Sequence, residues 1–168
     1  MTAGSGADVV VRLAGIEAGT AAGQAVEGRA DIMEMTQATH AAALTPTDPG
    51  GVSHAERAAL AVRVARLNRD DALASHYEML LDAAKGDDAV RLMADPAERE
   101  MGGARRNAII AFTDLVTARP RKAQAEDIDA LKAAGIGDAD IVRLAELNAF
   151  LAYQVRLIAG LKLMRGAA

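Results

Sequence analysis

An all-α fold is predicted from three observations. The 168 residues are rich in Ala, Leu, Met, Glu and Arg, which favour helices, and hold only two Phe and two Tyr, so a strand-built core is disfavoured. Apolar residues recur at helical spacings. Helix punctuation, an acid or serine before a run and a glycine or proline after it, brackets most of those runs.

The segment from Asp8 to Glu17 places Val10, Leu13 and Ala14 on one face, and Gly15, Gly19 and Gly23 weaken any continuation, so a short helix and then a loop are expected. From about Gln24 to Leu44 a single helix is expected, with Ile32, Met35, Thr36 and Ala43 sharing a face. Thr45 to Gly51 contains Pro46, Pro49, Gly50 and Gly51 and reads as the clearest loop. Ser53 followed by Glu56 is a capping-box signature, opening a helix to about Asn68. Asp70 or Asp71 starts the next, which runs through Leu73, Tyr77, Leu80 and Leu81 to Lys85-Gly86. A short helix with Val90, Leu92 and Met93 follows Asp87-Asp88 and ends before Pro96. Ala104 to Arg119 carries Ile109, Phe112, Leu115 and Val116 on one face and stops at Pro120. Glu126, Asp127 and Asp129 load the first turn of another helix, with Gly135 as its terminal cap. The last helix, from about Ala139 to Met164 after Asp138, carries a stripe of Ile141, Leu144, Leu147, Leu151, Val155, Ile158 and Leu161.

The length suits a single domain over 1–168, with N-terminal helices and a loop over 1–50 and the main core over 53–168. At roughly 40 Å, the last helix exceeds what a domain of this size buries alone, so a homo-oligomer, dimeric or higher, is expected. A net charge of -4 without a basic, aromatic-interleaved stripe argues against nucleic acid and anionic membrane surfaces as partners. Glu146, Asn148, Gln154, Arg156 and Lys162 interrupt the last helix too often for a membrane span. Cysteine is absent, which removes disulfides, thiolate metal sites and Cys nucleophiles; with no leader-like start, a cytoplasmic location is expected. Asp70-Asp71 and Asp87-Asp88 read as helix caps, and His40 and His54 have no partner at ligand spacing, so neither a metal nor a cofactor is expected.

Glu56 to Asn68 followed by Ala74-Ser75-His76-Tyr77 form one block, and Asp127 to Ile141 followed by Phe150 to Leu163 form a second. Together they resemble the carboxymuconolactone decarboxylase and alkylhydroperoxidase-D-like family, an all-helical group. Peroxidase members of that family place a CxxC pair before the histidine, whose relay to a glutamate helps form the attacking thiolate. Here Glu56 and His76 look like the flanking residues, while Asn68 to Leu73 occupies the CxxC region without a thiol. The resemblance therefore implies the fold without the peroxidase reaction. A non-redox binding or partner subunit is the first expectation, with a cysteine-bearing relative as one partner. The second is an enzyme of decarboxylase or isomerase type acting on a small carboxylated compound through Glu56 and His76. Arg63, Tyr77, Gln154 and Arg156 are the candidate substrate contacts, since arginine grips a carboxylate with two hydrogen bonds.

Each candidate also has a structural reading. Glu56 is fully explained by the capping box, and His76 lies near an apolar face where a hydrogen-bonded core histidine fits. Gln154 and Arg156 interrupt the most apolar helix, which places them either buried with partners or at an interface.

Overall fold

The computed structural model describes residues 8–166, and among them there are helices and no strands. α1 (Val9–Ala14) starts at Asp8, whose carboxylate accepts from the backbone amides of Val10 and Val11. α2 (Ala21–Glu27) starts at Thr20, and α3 spans Ala30–Leu44. The sequence reading missed the start of α2 and merged it with α3. Gly23 sits inside the helix rather than breaking it, because the Thr20 hydroxyl caps its amide, and the chain turns at Gly28-Arg29.

α4 (His54–Leu67) and α5 (Asp71–Ala83) form the hairpin at the centre of the core. The capping box at Ser53 and Glu56 forms as expected. Every residue from Glu56 to Ala65 is buried. Ala58, Ala59, Ala61 and Ala65 let neighbouring helices approach closely, and burying Leu60, Val62 and Val64 contributes about 1.5–3 kcal/mol each. Asp70 is the residue that caps α5, accepting from the Leu73 amide, and its other oxygen takes the Lys162 ammonium at 2.8 Å.

α6 (Asp88–Leu92), α7 (Ala104–Ala118), a 3-10 turn at Pro120–Lys122 and α8 (Ala125–Ala133) complete the shell around the hairpin. Gly135 follows α8 in the left-handed region at φ 83°, where a glycine is the unstrained choice. α9 (Asp138–Gly166) is about 43 Å long and packs against α1, α3, α4 and α7. Thr36 pairs with Tyr153 and His40 with Phe150, so α3 and α9 run antiparallel. No helix among the described residues is long and apolar enough to cross a membrane.

Candidate functional site

Three separate arrangements hold all but Arg156 of the residues that the sequence singled out. Around Glu56, the carboxylate accepts from the Ser53 amide and from Arg105 of α7, whose Nη1 lies 2.5 Å from Oε1. Arg105 also donates to the Gly51 carbonyl. Glu56 is thus committed to closing α4 onto α7 and the 45–53 loop.

Arg63 is fully buried and has no capacity left for a ligand. Its guanidinium makes a two-pronged pair with Asp114 at 2.6 and 2.7 Å and donates to the carbonyls of Asp95 (2.5 Å), Glu98 (3.1 Å) and Met93 (3.3 Å). One turn and a half earlier, buried Arg57 does similar work on the other side, donating to the carbonyls of Val52, Ala43 and Pro49. Arg57 staples the loop before α4 to that helix, and Arg63 staples the Met93–Glu98 segment after α6 to it.

His76 forms the third arrangement, with residues that are far away in the chain. Its Nδ1 accepts from Nη2 of Arg12 at 3.1 Å, and its Nε2 faces Nε2 of His40 at 3.4 Å. A guanidinium only donates, so Nδ1 of His76 is unprotonated and the ring proton sits on Nε2, directed at His40. Burial pushes His76 down to about 4, helped by the nearby His40 and Arg12; burial also lowers His40, against the pull of Asp8. Both rings are therefore neutral at neutral pH. His40 lies parallel to Tyr77 at 6.2 Å, and the Tyr77 hydroxyl donates to Oε1 of Gln154. Burial holds the Tyr77 hydroxyl protonated far above its ordinary range.

The structure brings together His76, Tyr77 and Gln154, and it leaves Glu56 and Arg63 in arrangements of their own. Glu56 stands at the end of α4 remote from the turn, whereas His76 lies in the second turn of α5, an axial offset of roughly 9 Å. The two share no hydrogen bond. Gln154 is buried, while Arg156 two residues on is exposed and donates to the Ala152 carbonyl of its own helix. Asn68 to Leu73, the region matching the CxxC pair, is occupied by the α4–α5 turn: the Asn68 amide bonds back to Val64, and Asp70 caps and anchors. An opening beside Asn68, between α4, α7 and α9, measures about 40 Å³.

Sequence reasoning considered His40 and gave it no role, and it missed Arg12, Arg105 and Phe150. No spacing signal links them to the site, because each reaches it across a long chain separation.

A larger opening lies along the α3–α9 seam, with a volume of about 660 Å³. Ile32, Met35, Ala43, Ala149 and Phe150 give it an apolar lining, and the paired hydroxyls of Thr36 and Tyr153 lie 2.9 Å apart within it. Glu146 is its one charged lining residue. Among the described residues no group of three or more His, Asp or Glu is placed to hold a metal ion.

No protein-family model and no curated protein matches the chain. Among solved structures it is similar to a crystal structure of an uncharacterized peroxidase-related protein from Silicibacter sp. TM1040, with a TM-score of 0.68 and 17% identity, over 78% of this chain and 68% of that one. The likeness is one of fold, which this chain carries without cysteine.

Proposed function

We propose that this chain is a cysteine-free, alkylhydroperoxidase-D-like protein that acts as a non-redox binding subunit, taking a small, mostly apolar molecule in the α3–α9 groove. The observation that carries the reading is the groove itself: at about 660 Å³ it falls in the size range of small-molecule sites, with an apolar lining and few polar groups. The engagement of His76 supports the same reading, since both ring nitrogens are taken by Arg12 and His40 and neither faces Glu56. An enzyme acting through Glu56 and His76 needs both at one substrate, and their separate partners speak against it. Self-association through the end of α9, where Leu163 and Met164 are exposed, belongs to the proposal and is read from the solution mass by light scattering.

The test uses the neutral dye N-phenyl-1-naphthylamine. Saturable fluorescence enhancement is expected with the native protein and its loss with Ala149→Trp, which fills the groove from an exposed position on α9. Equal binding by both proteins removes the groove from the reading.

A further inference from the structure

The groove and the buried polar cluster meet at Phe150. Phe150 lines the groove, and its ring meets His40 edge-on with centroids 5.9 Å apart. Behind it, His40 lies against Tyr77, and Tyr77 is bonded to Gln154. Gln154 is fully buried, yet its Nε2 has no hydrogen-bond partner among the described residues. Buried amide donors are rarely left unpaired, because losing water without a replacement is unfavourable.

Resting on the groove binding proposed above, we infer that the ligand is an uncharged, elongated, mostly apolar molecule ending in a hydrogen-bond acceptor such as a ketone carbonyl, which reaches the Gln154 amide when Phe150 rotates outward. The withdrawn ring leaves the space that the head group takes. Within the groove itself, the one hydroxyl hydrogen that the Thr36–Tyr153 bond leaves over is open to water, since Tyr153 is exposed, so the donor cut off from water lies deeper, on Gln154. An ammonium head carries donors only and leaves Gln154 unpaired. A carboxylate meets Glu146 at the groove and then finds neutral histidines rather than a cation inside. A carbonyl accepts from Nε2 and brings no charge into the core.

Tyrosine emission reports this route directly, because the chain has no Trp and its two Tyr, Tyr77 and Tyr153, both lie on it. The probes are 2-decanone and its isostere 2-methyl-1-decene, in which a methylene replaces the carbonyl oxygen, titrated into the native protein and into the double variant Tyr77→Phe/Gln154→Met. That variant replaces both partners of the buried pair by apolar groups, which preserves folding, and it keeps Tyr153 as the reporter. The affinity of ketone relative to alkene is expected to fall about five- to tenfold in the variant, the worth of one neutral hydrogen bond. Decanoate and decylammonium are expected to bind the native protein more weakly than the ketone, and Phe150→Leu to speed ketone association. If both neutral probes bind and their ratio is the same in the two proteins, the head-group inference is overturned while the groove reading stands. Decanoate binding as tightly as the ketone overturns the uncharged ligand, and an unchanged association rate in Phe150→Leu overturns the gate. Absence of binding by every probe overturns both readings.

Discussion

Arg12 donates a hydrogen bond to Nδ1 of His76 across 3.1 Å, and in doing so joins the first helix to the central hairpin. Protonating His76 puts a hydrogen on Nδ1 and two like charges face to face, so acid opposes this contact. The folded ring titrates at about 4 and the free ring at 6.5, so the unfolded chain binds the extra proton first. This contribution to stability is fully present above pH 6.5 and is lost as the pH falls from 6.5 to about 4, with an upper bound on the order of 3 kcal/mol. His40, also lowered, acts with the same sign. Arg12→Gln keeps a donor but removes the charge, and an NMR titration of His76 is expected to move upward; an unmoved or lower midpoint contradicts the assignment.

Arg63 and Asp114 form the most costly pair to break. Arg63→Ala strands a carboxylate of low exposure and three backbone carbonyls, and is expected to destabilise the fold by about 3–5 kcal/mol in urea unfolding. Arg63→Lys keeps the charge but not the fork, so it recovers only part of that loss. A change below about 1 kcal/mol in Arg63→Ala refutes the stapling role.

At Glu56 the expected effect is structural and local. Ser53→Ala removes one arm of the capping box and costs about 1 kcal/mol, and Glu56→Gln weakens the hold on Arg105 by a similar amount. Neither substitution is expected to alter dye binding in the groove. A selective loss of binding at unchanged melting temperature ties Glu56 to the ligand instead.

Gly23 has no room for a side chain. A Cβ there would overlap the backbone carbonyl oxygen of Glu17, which cannot move without shifting the 17–20 turn. Gly23→Ala is therefore expected to lower stability by about 1–3 kcal/mol, despite the better helix propensity of alanine. Stabilisation by this substitution counts against the observed packing of α2.

Hydrogen peroxide turnover by the purified chain is expected to be nil in a thiol-coupled assay, with His76→Ala no different, since no residue of the 168 bears a thiol. A substantial rate under these conditions overturns the non-redox reading.

The elements most legible in the sequence were those with local punctuation. Ser53 and Glu56, Asp87 and Gly135 each act through backbone groups within a few residues, so their positions were readable directly. α2 was obscured because Gly23 carries the propensity of a breaker while serving a close contact that only the folded chain displays. The candidate site was half legible for the same reason. The interruption of an apolar helix marks Gln154 as either buried or at an interface and the structure buries it, but the partners of His76 lie 64 and 36 positions away, where no periodicity reaches. Arg63 and Arg57 look alike to a catalytic anchor in a linear reading; only their carbonyl partners reveal them as fasteners of loops.

α9 has a bearing on the order in which the molecule is assembled. The α4–α5 hairpin closes through neighbours in the chain and is ready early, whereas α1 and α3 find their seats on α9, a helix made well after them. During synthesis α1 and α3 therefore wait, their apolar faces open, until α9 emerges. The seam that frames the groove closes late, and a ligand seated there would bind together segments that lie more than a hundred positions apart.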